Sequence, residues 1–160
     1  MNSNRISGWL TLGANIGVVI GIGLLIVELD QNRDMMRSQT RHQIAIEDAN
    51  FFLATAYDPD MTARIEQVSD GEQLEATERM QYSWRLAGWF RLQENIHYQA
   101  RNGLFDQSEF EGIKNTWKTF VTTSPGVEKV WCFWRMNSSK EFREDFDDLF
   151  DDLGCVANSD

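Results

Sequence analysis

Glu94-Asn95-Ile96-His97 sets a carboxylate and an imidazole three residues apart, one turn of helix, which is the half-site spacing of a di-iron centre in a helical bundle. A complete centre needs a second such pair. The other histidine, His42, has Gln39 three residues before it, so the pair cannot be completed, and no metal or other cofactor is expected. His97 falls on the Phe90 side of a helix, where the expectation is a hydrogen-bonded core histidine. Arg91, Glu94, Asn95 and Tyr98 project from the other side. One reading of them is an internal network, with Arg91 paired to Glu94 or Asn95 at i+3 and i+4. The other is a polar interhelical pocket formed by Arg91, Glu94, Asn95, His97 and Tyr98, which would make the chain a ligand-binding or enzymatic bundle. The sequence contains no G-x-S-x-G, no P-loop and no G-x-G-x-x-G, so no catalytic residue is assigned.

A second concentration of charge lies at the end of the chain. Residues 141–160 hold eight acids and one Arg, a net of −7 out of −10 for the whole protein. Asp145, Asp147, Asp148, Asp151 and Asp152 do not form a calcium loop, because Leu149 and Phe150 occupy the fifth and sixth places, where a ligand oxygen and a glycine are needed. Phenylalanines at helical spacing make this an amphipathic helix with a solvated acidic face, suited to a basic protein partner. The overall acidity excludes nucleic acid, since competing for phosphates takes a basic face.

The element that governs where all of this sits is the N-terminal one. No charged residue occurs from Ser7 to Val27. The 19 residues Trp9–Val27 would reach roughly 28 Å as a helix, close to the ~30 Å of a bilayer's hydrocarbon. A cleaved signal peptide would need a more basic start and a small-residue cleavage site, but Glu28-Leu29-Asp30-Gln31 follows, so an uncleaved single-pass anchor is expected. Gly13, Gly17 and Gly21 recur every four residues and leave one stripe of that helix without side chains, which predicts association into a homodimer or higher homo-oligomer. Arg33, Arg37 and Arg41 on one flank outweigh Arg5 and the α-amine on the other, placing the C-terminal domain in the cytoplasm, where Cys132 and Cys155 would be free thiols.

Beyond the anchor the periodicity is helical throughout. Leu29 to Tyr57 contains no Gly or Pro, so the anchor can run on into a polar helix with a stripe at Ala45, Ala49, Phe52 and Ala56. After Asp58-Pro59, a short helix over Met61–Val68 capped by Asp60 is expected, then a long one from Ala76 to Asn102 closed by Gly103. Tyr82, Leu86, Trp89, Phe90, Ile96 and Ala100 share one arc of the long helix, and Met80, Trp84, Ala87 and Tyr98 the opposite one, which predicts a central helix packed on both sides. Asp106 starts the next helix, Ser124-Pro125 the one after, with Pro at its first position. Ser138 with Glu141 starts the last, running through Phe142, Phe146, Leu149, Phe150 and Leu153 to Gly154.

Leu25-Ile26-Val27-Glu28-Leu29-Asp30-Gln31-Asn32-Arg33, Phe90 to Gln99 with Gly103-Leu104-Phe105-Asp106, and Ser124-Pro125-Gly126 together resemble a widespread group of small uncharacterised bacterial proteins. The resemblance covers most of the chain. It implies an anchor followed by a helical domain, and it transfers no catalytic residue. The expected protein is all-α: a transmembrane anchor over residues 1–28, a bundle of about five further helices over residues 29–153 and a tail over residues 154–160. Its expected place is the bacterial inner membrane, and its expected role is that of an interaction or regulatory module that self-associates.

Overall fold

The computed structural model describes residues 3–124, 126–150 and 155. Among them the protein is all-α, with no strand. Helix α1 spans Ser3–Ala56, and five further helices follow: α2 (Pro59–Ser69), α3 (Ala76–Arg101), α4 (Gln107–Thr123), α5 (Val127–Trp134) and α6 (Lys140–Asp147), with a 3-10 turn at Arg135–Asn137 between the last two. The chain divides into two units, Met1–Gln39 and Thr40–Asp160.

In the first unit one helix is long and apolar enough to cross a membrane. Its large apolar side chains from Trp9 to Val27 are all exposed, with relative accessibilities between 48% and 74%. As a helix this stretch pairs every interior N–H with a carbonyl of its own segment. The Thr11 hydroxyl donates to the Ser7 carbonyl at 3.0 Å, so that polar group too is satisfied within the helix. Nothing lies within 4 Å of where a side chain would begin at Gly13, Gly17 or Gly21.

The second unit is built on an aromatic core. Trp117, Trp131, Phe142 and Phe146 have no accessible surface, and Trp89, Phe90, Ile96 and Val127 have almost none. The rings meet edge to face or offset: Trp89 stacks on Phe120 at 4.1 Å, Phe90 meets Trp131 at 5.0 Å, and Trp117 meets Phe142 at 5.5 Å and 86°. Each such pair adds about 0.5–1.5 kcal/mol beyond the area it buries.

Four sequence expectations change here. The buried side of the C-terminal part of α1 carries Ile44 and Phe51, one residue before the Ala45–Ala49–Phe52–Ala56 stripe, which stays exposed apart from its contact with a groove. Ile44 and Phe51 remove more apolar area from water than alanines do, and a one-residue shift turns the helix by about 100°. Helix α2 is capped by Asp58, whose carboxylate accepts from the Met61 N–H at 3.0 Å, with Pro59 at the first helical position; Asp60 lies inside the helix. The residue before a proline is held extended, which makes Asp58 the natural cap. The opposite arc of α3 is covered only in part: Ala87 is buried there, but Trp84 is 60% exposed and Met80 and Tyr98 are equally open, whereas Tyr82, Leu86, Trp89, Phe90 and Ile96 are buried on the first arc. At about 1.5 Å per residue α3 is roughly 39 Å long, and α5 and α6, about 12 Å each, are too short to coat a second side. Finally, α5 begins after Gly126 and the N-cap of α6 is Ser139, because Ser138 is the C-cap of the 3-10 turn. Pro125, Leu153 and Gly154 lie outside the described residues.

The end of α3 is as expected. Gly103 takes φ +69, and the N–H groups of Gly103 and Leu104 return to the carbonyls of Ala100 and Gln99 at 3.0 Å each, closing a Schellman motif.

Candidate functional site

The second half of α3 carries the polar residues singled out by spacing, and the structure divides them. His97 is 3% exposed and faces the core, its ring 5.6 Å from Phe142 and 5.8 Å from Phe110. Its Nε2 lies 3.0 Å from Asp145 Oδ2 on α6. One turn earlier the buried Gln93 accepts from the Trp117 indole N–H at 2.8 Å. Arg91 and Glu94 form an i,i+3 ion pair at 2.7 Å, and the other Glu94 oxygen accepts from the Ser139 backbone N–H at 2.6 Å, which fixes the start of α6 against α3. Asn95 accepts from Gln99 at 3.4 Å, and the Tyr98 ring faces solvent. Arg91 and Glu94 therefore meet, while His97 looks into the core and Tyr98 outward.

The cavity that does contain His97 has a volume of about 420 Å³, and its polar lining is Arg101, Gln107, Lys114, Glu141, Glu144 and Asp145. Arg101 pairs with Glu141 at 3.3 Å. The Glu141 carboxyl is held below its ordinary value by its own backbone N–H and by Arg101. This lining offers charges of both signs and a held imidazole, but no hydroxyl or thiol to act as a nucleophile. Among the described residues no three His, Cys, Asp or Glu side chains are grouped so as to hold a metal ion.

Among the described residues the acidic face at the C-terminus is solvated at Glu141, Glu144, Asp145 and Asp148, and Asp147 alone is withdrawn from it. Asp145 turns to His97, and Asp147 accepts from the Trp131 indole at 2.7 Å and from Arg135 Nε at 3.1 Å, with Arg135 Nη2 on its second oxygen. Glu144 and Asp148 remain exposed. Asp151 and Asp152 lie outside the described residues. The cysteines are also revised: Cys132 and Cys155 are joined in a disulfide, with Cα atoms 5.2 Å apart. No spacing rule exposes such a pair, because its partners are 23 residues apart and outside any cysteine framework.

A second cavity, of about 390 Å³, lies between the end of α1, α3 and α4, with Arg41 and Glu109 paired at 2.7 Å on its wall. Burial beside it raises the Asp48 carboxyl above its ordinary value. The fold therefore penalises ionised Asp48. The penalty is in force at neutral pH, where folded and unfolded chains both carry the charge, and vanishes once pH falls below the ordinary carboxylate value, where both are protonated. Asp48→Asn is expected to raise the melting temperature at pH 7, with the gain over the parent shrinking toward pH 3; a gain independent of pH would contradict this account.

Compared with protein-family models, curated proteins and solved structures, the chain matches none.

Proposed function

We propose that this chain is a single-pass protein of the bacterial inner membrane whose helical domain is an interaction or regulatory module, and that it self-associates through its anchor. The observation that carries the reading is the uncharged run Trp9–Val27, helical and with its large apolar side chains all exposed. Burying that surface in water-soluble packing would need a partner of comparable apolar area, whereas a lipid bilayer buries it directly. The open line along Gly13, Gly17 and Gly21 supports a second copy as neighbour, since backbones approach closely only where side chains are missing. Gly17→Leu fills the middle of that line. Crosslinking in membranes is expected to show the oligomer of the parent at least several-fold reduced in the variant, and an unchanged oligomer would remove the stripe from the interface. The exposed Glu144 on α6 and Asp148 at its C-cap suit a basic partner for the domain.

The side of the membrane is argued from two opposed features. The arginine bias favours a cytoplasmic domain, but it amounts to three arginines against one and an α-amine. The Cys132–Cys155 disulfide favours an oxidising compartment, since cytosolic thiols are kept reduced. The covalent feature outweighs a small charge difference, so we place the domain on the periplasmic side. A reporter active only in the periplasm, fused after Asp160, is expected to be active; silence would return the domain to the cytoplasm.

A further inference from the structure

Between α1, α2, α3 and α4 lies a third cleft, of about 500 Å³, within the range of small-ligand sites. Its walls are mostly apolar, from Phe51, Phe52, Ile65, Leu86 and Phe120, and the one charged residue among them is Arg85. A guanidinium placed there would ordinarily be matched by a carboxylate. Arg85 has none within 4 Å among the described residues: its Nη2 donates to the Phe51 carbonyl at 2.5 Å, its carbon lies 3.2 Å from the centre of the Phe51 ring, and Asp58 acts on it only from a distance. One of its five N–H donors is thereby engaged, and the guanidinium keeps an edge capable of bidentate pairing with an anion.

We propose that this cleft binds a long-chain carboxylate, with the hydrocarbon along Phe51, Phe52, Ile65, Leu86 and Phe120 and the carboxylate on the guanidinium of Arg85. The other polar groups narrow the choice of head. The Thr55 hydroxyl donates to the Phe51 carbonyl, and the Thr62 hydroxyl donates to the carbonyls of Thr55 and Asp58. Both of these hydroxyl protons are committed inside the protein, and the walls carry two further hydroxyl residues, Tyr82 and Ser124. A phosphate head, with more oxygens and up to two charges, would find one cation and few free donors, whereas a single carboxylate is matched by one guanidinium in charge and geometry. Burial also lowers the pKa of Arg85 from its ordinary value, with Asp58 acting in the opposite direction.

The test is displacement of a fluorescent fatty acid from the full chain in nonionic-detergent micelles, read against micelles alone. The competitors are a 16-carbon carboxylate, the alcohol of the same length and the alkyl phosphate of the same length. The parent is expected to prefer the carboxylate at least tenfold over the alcohol and over the phosphate. Arg85→Gln is expected to erase the preference over the alcohol while leaving weak binding of both. Ala56→Trp, which fills the cleft from the exposed side of α1, is expected to abolish displaceable binding with Arg85 intact, and so carries the test should Arg85→Gln not fold. Equal binding of carboxylate and alcohol by the parent would overturn the proposal, as would tighter binding of the phosphate, no displaceable binding at all, or undiminished binding by Ala56→Trp.

Discussion

Trp117→Ala is expected to cost the helical domain about 3–5 kcal/mol, the range for truncating a fully buried tryptophan. Trp117 has no accessible surface and is ringed by Phe110, Phe142 and Phe146 at 5.5–5.8 Å, so no neighbour is free to collapse into the space it leaves. The substitution also strips the buried Gln93 oxygen of its donor. A single domain is stable by only about 5–15 kcal/mol, so this one change would remove a large share of the margin. Urea unfolding of the full chain in detergent, followed by tryptophan fluorescence, measures it. Trp117→Phe keeps most of the volume and should lose distinctly less. A loss under about 1 kcal/mol for Trp117→Ala would mean that the ring does not fill the centre of the core.

The second large effect is expected at Asp147. Its carboxylate is shared by the indole N–H of Trp131, itself without accessible surface, and by the Arg135 guanidinium. The side chains of Arg135 and Asp147 are about three-quarters buried, at 25% and 21% exposure. Asp147→Ala leaves both donors unpaired, at a cost of about 2–3 kcal/mol once the residual exposure is allowed for. Asp147→Asn keeps an acceptor for the indole and should lose roughly half as much. The same denaturation measurement orders the two variants, and equal losses would show that the retained acceptor contributes nothing and that the charge carries the whole effect.

How much of this was legible in the chain depended on whether the signal was local. The apolar N-terminal run, the cap at Asp106 and the Gly103 stop are decided by residues within a few positions of one another, and the helices lie where those signals put them. His97 as a hydrogen-bonded core residue was legible for the same reason, since its side of the helix follows from periodicity. Its partner was not: Asp145 is 48 residues away and sits in a row of similar acids, among which only packing selects. The Arg85 cleft was likewise hidden, because its walls come from four helices and its informative feature is a missing carboxylate, which no spacing records. The face of α1 was misread by one residue because small residues suggested close packing where bulk governed.

The disulfide acts on states other than the folded one. Cys132 lies in the last turn of α5 and Cys155 follows α6, so the bond makes a loop that contains all of α6 with Phe142 and Phe146. A closed loop has fewer arrangements when unfolded, and the fold is favoured because its competitor has lost entropy, without any new contact being made. When the core loosens, α6 stays tethered to α5, which shortens the search by which its two phenylalanines return. The last described helix of the domain therefore unfolds as a loop with both ends held.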